Sequence, residues 1–166
     1  KARTYPLPFA QIEREVKPER TRRRPDGGFS LRKPLPQRWW IYADKRPGLY
    51  TAIAKLDSVL AITLVSNVVQ PVRVPSRQVF ANVLGIFSSD SPAFLGLLVS
   101  QIQGEWARKI ASSLETRIRY TPSDVFETFP VSVDMDKLTS AGEVMEEARE
   151  TVLLGRDIGL TATYNL

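Results

Sequence analysis

The chain has 166 residues, of which 43% are apolar and 25% charged, enough for one packed domain with or without a short appendage. It contains no cysteine and no histidine, which excludes disulfide scaffolds, thiolate or imidazole metal sites, and Cys–His or Ser–His–Asp catalysis. Carboxylate, lysine or tyrosine chemistry remains, or no chemistry at all. The longest strongly apolar stretch, Val59 to Val69, is interrupted by Thr, Ser and Asn and is too short to cross a bilayer. The opening Lys1-Ala2-Arg3 shows neither an initiator Met nor a signal-peptide hydrophobic region. The expectation is a basic cytoplasmic segment, taken from the middle of a longer chain, with no membrane partner.

The net charge of +5 hides a gradient. Residues 1–48 carry 13 Lys/Arg and 5 Asp/Glu, residues 49–130 carry 7 and 6, and residues 131–166 carry 3 and 7. One end is suited to a polyanion and the other to something else. The basic end is dominated by Arg20, Arg22, Arg23 and Arg24, followed by Arg32, Lys33, Arg38, Lys45 and Arg46. Arginine's planar fork favours phosphate and base-edge contacts over diffuse attraction; a solubilising arm is the competing reading of the 20–24 cluster.

In chain order, residues 1–37 hold six prolines, at 6, 8, 18, 25, 34 and 36, which predicts an extended basic arm with at most a helical turn around residues 11–16. Pro25-Asp26-Gly27-Gly28 reads as a turn. Arg38-Trp39-Trp40-Ile41-Tyr42 predicts a strand, in which one indole faces inward and the other outward, covered by the arm or able to stack on a base. A short helix is expected over 47–56. A doubly covered strand is expected over 58–66, an edge strand over 72–74, and a further strand over 79–87. Ser91 and Pro92 supply an N-cap and first turn for one long helix over 91–111, with Phe94, Leu95, Leu98, Ile102, Trp106 and Ile110 as its apolar face. Residues 115–120 are β-compatible, Thr121-Pro122-Ser123-Asp124 resembles a helix start, and Phe126, Phe129 and Pro130 form an aromatic plug. From Asp136 an acidic amphipathic helix is expected to present Leu138, Ala141, Met145, Ala148 and Val152 and to stop at Gly155.

The carboxylates of the middle region, Asp44, Asp57, Asp90, Glu105, Glu115, Asp124 and Glu127, form no metal-ligand spacing, and Gly27-Gly28 lacks the context of a phosphate cradle. Capping and solvated acids are the reading for this set; a hydrolase with a carboxylate pair assembled by folding is a remote alternative. Arginine and amide side chains instead gather on short segments: Arg73, Arg77, Gln78 and Asn82 on one, and Glu115, Arg117 and Arg119 on another. Residues two apart in an extended segment share a face. Glu115, Arg117 and Arg119 therefore offer guanidinium forks for guanine and a carboxylate for a cytosine amino group, or else a surface ion pair.

Arg119-Tyr120-Thr121, Ser123-Asp124-Val125-Phe126 and Thr128-Phe129-Pro130 resemble the run that closes the target recognition domain of large N6-adenine DNA methyltransferases. These include single-chain type II restriction–modification enzymes and related phage-defence methylases. The resemblance extends to Arg38-Trp39-Trp40, Arg46-Pro47-Gly48-Leu49-Tyr50, the Ser100 to Trp106 helix, and the ending Gly159-Leu160-Thr161…Tyr164-Asn165. It implies a DNA-reading module whose separate N-terminal methyltransferase domain, outside this sequence, binds S-adenosylmethionine and methylates a flipped adenine through an Asn-Pro-Pro-Tyr/Phe motif. No Asn-Pro-Pro occurs in the chain, so the segment by itself is expected to hold no cofactor and no catalytic residue, while the parent enzyme methylates DNA and has the option of cutting it. The resemblance also places base-reading side chains on the segment before Arg-Tyr-Thr, which is where Glu115 and Arg117 stand.

The sequence thus predicts an α+β fold: a twisted, mainly antiparallel sheet packed on a long amphipathic helix, with a C-terminal helical appendage. Its divisions would be a basic arm (1–37), a target recognition domain (38–133) and the appendage (134–166). The expected function is sequence-specific recognition of double-stranded DNA. Glu115, Arg117, Arg119, Arg73, Arg77 and Gln78 are the base-reading candidates, and Arg22, Arg23, Arg24, Arg38, Lys45 and Arg46 are the phosphate contacts. The alternative is a protein–protein adaptor docking a larger assembly through the stripe of the C-terminal helix.

Overall fold

Proline forbids a helix only where its missing N–H would have been used, and the first turn uses none. That exception governs the start of this protein. The structure, a computed structural model, describes residues 2–114, 116–131 and 134–164. Pro6 and Pro8 fall in the first turn of helix α1 (Pro6–Glu15), and Pro18 in the first turn of α2 (Lys17–Arg20). The expected extended arm is therefore helical over most of its first twenty residues. The predicted turn does form: Arg24 N–H donates to Gly28 O (2.8 Å), Gly27 takes a positive φ of 83°, and Arg23 bridges Phe29 across the hairpin. The strand expected at 38–42 is absent. Arg38 N–H bonds Pro34 O and Ile41 N–H bonds Arg38 O, a turn that places Trp39 under Phe9 of α1. Burial of one indole decides that segment, not pairing with a neighbouring strand. Compactness divides the chain into two units, Lys1–Pro47 and Gly48–Leu166.

The second unit is α+β. Helix α3 (Pro47–Ala52) leads to β1 (Ser58–Thr63), the central strand of a three-stranded antiparallel sheet of order β3-β1-β4 with β3 (Val72–Pro75) and β4 (Leu84–Phe87). Both faces of β1 are covered, as its apolar run predicts: Leu60 and Ile62 join Phe87, Leu95, Leu98, Tyr120 and Val125, while Val59 joins Ile53 and Phe80. A second antiparallel sheet, order β2-β6-β5, is made from β2 (Val65–Ser66), β6 (Arg117–Arg119) and β5 (Ser112–Leu114). Among the described residues there are thus two small sheets in place of one twisted sheet. The strand expected over 79–87 begins only at Leu84, leaving Val79 and Val83 exposed.

The helix expected over 91–111 is two helices. Ser91 caps α4 (Pro92–Val99) by accepting from Phe94 N–H. At Ser100 the backbone turns extended (ψ 148°), and its hydroxyl accepts from Gln103 N–H to start α5 (Gln101–Ile110). The break resets the helical phase. Ile102 and Ile110 consequently point outward, and Gln103 and Ala107 go in. Helix α6 (Pro122–Val125) follows β6, and Trp106 Nε1–H bonds Val125 O at 3.1 Å.

The long helix α7 (Met135–Arg156) packs on α4 of the same unit. It crosses α4 through two glycines, Gly96 and Gly142, whose backbones nearly touch. Its packed face runs through Gly142 and the buried Arg149, while Ala141 and Ala148 of the predicted stripe are exposed. Two arginines fasten it further. Arg73 of β3 forms a forked pair with Glu146 (2.7 and 3.0 Å), and Arg149 donates to Pro71 O (2.8 Å), to Gln70 Oε1 (3.1 Å) and to the hydroxyl of Tyr164 on α8 (Leu160–Tyr164) (3.0 Å). Gly155 does not stop the helix; Asp157, in the left-handed conformation (φ 49°), does.

The two glycines of α7 at 142 and 155 predict opposite outcomes on the same substitution. A Cβ on Gly142 would lie 1.9 Å from Pro92 O. Gly142→Ala is therefore expected to lose about 1–3 kcal/mol of stability, against the gain of about 1 kcal/mol that alanine ordinarily brings to a helix interior. A Cβ on Gly155 meets nothing within 4 Å, so Gly155→Ala should be neutral or stabilising by up to about 1 kcal/mol. Urea denaturation of the two variants decides it.

Candidate nucleic-acid interface

A side chain that reads a base must project from backbone that does not move when the base arrives. Strand β6 is paired on both sides and packed against the core from behind. Ile118 turns inward against the core, and its neighbours Arg117 and Arg119 turn to the exposed face. In register, Arg119 stands between Val65 of β2 and Ser112 of β5, and Arg117 stands opposite Leu114. The end of β6 is anchored by Tyr120, whose N–H bonds Leu64 O (2.8 Å) and whose buried hydroxyl accepts from Gln103 Nε2 (3.0 Å). The alternation expected from the sequence thus places Arg117 and Arg119 on one face. Glu115, the third member of that face on sequence, lies outside the described residues.

The other base-reading candidates part company. Arg73 has its guanidinium turned to Glu146, Ser58 Oγ and the Asp90 carbonyl, a tie between β3 and α7 that sequence alone does not reveal. Its acceptor, Glu146, stands 73 residues away in the chain. Arg77 is exposed, 3.8 Å from Asp57, and Gln78 is exposed with its amide donating to Pro75 O.

The phosphate candidates all belong to the first unit. Arg22, Arg23 and Arg24 are exposed on the segment that enters the hairpin; Arg23 donates to Gly27 O (2.7 Å) and stacks over the Phe29 ring at 4.6 Å. Arg38 and Lys45 are exposed, and Arg46 is half-buried with φ 46°, its N–H held by the Asp44 carboxylate at 3.0 Å. Arg20, of the same sequence cluster, turns away to the carbonyls of Trp39 and Ile41.

Among the described residues no three acidic side chains gather as they would around a metal ion, and no helix is long and apolar enough to cross a membrane.

No protein-family model and no curated protein matches the chain. Its fold is similar to part of a restriction–modification enzyme. The structure concerned is that of the Type IIL restriction-modification enzyme MmeI in complex with DNA. The two share 24% sequence identity at a TM-score of 0.55, over 92% of this chain. The matched region is 19% of the MmeI chain, and the likeness is one of fold.

Burial makes the anchor of β6 sensitive to alkali. Desolvation raises the Tyr120 hydroxyl to about 12 from an ordinary 10, opposed in part by the Gln103 hydrogen bond. A folded-state pKa above the unfolded one gives stability that is complete below pH 10 and is lost as pH rises through 12. The loss should amount to about 2–3 kcal/mol. Stability measured from pH 9 to 12 is expected to fall more steeply in the parent than in Tyr120→Phe.

Proposed function

We propose that this chain is a sequence-specific reader of double-stranded DNA. The observation that carries the proposal is the β6 strand: two arginines presented side by side on one exposed face, over a core-anchored isoleucine and tyrosine. Forked guanidinium donors at that spacing suit the O6 and N7 acceptors of guanine in the major groove. Glu115 supplies the acceptor for a cytosine amino group. Arg77 and Gln78 add contacts from the segment after β3, while Arg73 holds α7. Arg22, Arg23, Arg24, Arg38, Lys45 and Arg46 grip phosphates without regard to sequence. The fold shared with MmeI, an enzyme solved in complex with DNA, supports the reading, as does the excess of 13 basic over 5 acidic residues in positions 1–48.

The parent protein on this reading is an adenine-N6 DNA methyltransferase or restriction–modification enzyme of a phage-defence system. Its S-adenosylmethionine and its target adenine are handled by a separate methyltransferase domain, and this chain contributes choice of site, not catalysis. In the adaptor alternative the partner would dock on what α7 leaves open, since its Gly142 and Arg149 face is taken by the chain's own α4 and 70–71 segment.

Two substitutions separate the two kinds of contact. Arg117→Ala is expected to cost about 1–3 kcal/mol on the cognate duplex and nothing on random duplex. Neutralising Arg22, Arg23 and Arg24 together should weaken every duplex alike and lower the slope of log K against log salt by about 2.7. Fluorescence anisotropy at several salt concentrations measures both; equal loss on random DNA in the Arg117 variant would refute base reading.

A further inference from the structure

The first unit contains an aromatic pocket that the duplex reading leaves unused. It is a cavity of about 330 Å³ whose lining includes Arg3, Phe9, Glu13, Lys17, Trp39 and Trp40. The two indoles meet edge to face at 5.6 Å, and Phe9 closes on Trp39 at 5.5 Å. Trp39 is buried; Trp40 is 41% exposed. The backbone on both sides of Trp40 is fixed by Arg20, whose Nη1 donates to the carbonyls of Trp39 and Ile41. A half-exposed indole on a clamped turn is held ready for a flat partner.

The charges decide which partner. Lys17 Nζ stands 5.4 Å from the centre of the Trp39 ring and 2.7 Å from the Glu13 carboxylate. The position a ligand cation would take in an aromatic cage is therefore filled by the protein's own ammonium, and the one carboxylate is already paired. Arg3 adds a second positive charge at the rim. Lys17 is balanced by Glu13, so Arg3 leaves the lining one positive charge in excess: a cationic ligand would meet that excess, and a purely apolar one would leave it without a counter-ion. A planar ring carrying an anion satisfies the indole and the cations together.

We propose that this pocket binds a nucleotide whose base is out of its stack, the base lying on the Trp40 indole and its phosphate held by Arg3 and Lys17. Two sources share that chemistry: a free mononucleotide, and an unpaired nucleotide within a DNA strand. The site goes beyond duplex reading and does not depend on it.

The test uses the full chain, deoxyadenosine monophosphate, and a short labelled single-stranded oligodeoxynucleotide of mixed sequence, followed by anisotropy and tryptophan emission. Trp40→Ala should weaken oligonucleotide binding about tenfold or more, and Trp40→Phe, which keeps a ring, should restore most of it. Arg3→Ala, at an exposed position, should lower the salt slope by about 0.7 with the indole intact, so the site remains testable even if the alanine variant at 40 misfolds. Competition by the mononucleotide that depends on Trp40 assigns the free nucleotide as a source; binding of the strand alone assigns DNA. Parent-like affinity in Trp40→Ala, an unchanged salt slope in Arg3→Ala, or binding of neither probe overturns the site. Arg117→Ala should leave single-strand binding untouched, so failure of the duplex reading and failure of this pocket register in different measurements.

Discussion

The crossing of α4 and α7 is the contact on which the second unit depends. Helices normally sit about 8–10 Å apart, spaced by their side chains; here Gly96 faces Gly142, and nothing but backbone lies between. That approach brings the acidic C-terminal helix close enough for Glu146 to take Arg73 in a forked pair, and for Arg149 to reach the Pro71 carbonyl beneath it. A guanidinium can be buried without a large penalty only when its donors are matched, and Arg149 has partners for Nε, Nη1 and Nη2. The glycines set the distance, and the arginines use it.

Arginine consequently does two jobs in this chain. Arg20, Arg73 and Arg149 are internal fasteners that hold carbonyls or a carboxylate. Arg22, Arg24, Arg117 and Arg119 lie at the surface, where their charge is available to long-range attraction. A count of basic residues cannot separate the two groups, because the difference lies in whether folding draws the guanidinium in among distant parts of the chain or leaves it at the surface. The pair Arg73–Glu146 is an instance. Alternation of Val72, Arg73 and Val74 marks an edge strand, and says nothing of a helix arriving from 73 residues downstream.

What is legible in the sequence is local. The Ser91 cap with Pro92, the Pro25–Gly28 turn, the doubly covered β1 and the outward alternation of Arg117 and Arg119 about Ile118 each rest on neighbouring residues, and each appears. What escapes a sequence reading depends on distant parts. Ser100 splits one apparent helix because a serine able to cap a second helix also permits the first to end. The Trp39-Trp40 segment has strand-forming residues but, among the described residues, no strand beside it, and folds as a turn over Phe9. The apolar stripe of α7 lies one residue out of phase with its packed face, since glycine and arginine carry no apolar signal yet make the closest contacts. The candidate interface is legible to the same extent: its residue types and their common side, but neither the withdrawal of Arg73 into the fold nor the pocket beside Trp40.

The geometry of β6 separates what the strand must keep from what it is at liberty to change. Ile118 and Tyr120 are tied to the interior, and they hold the peptide in place whatever stands at 117 and 119. Solvent-side replacements on such a strand ordinarily shift stability by no more than about 0.5 kcal/mol. The outward positions can therefore be exchanged one at a time while the scaffold persists, so a lineage could vary this exposed face without passing through an unfolded ancestor.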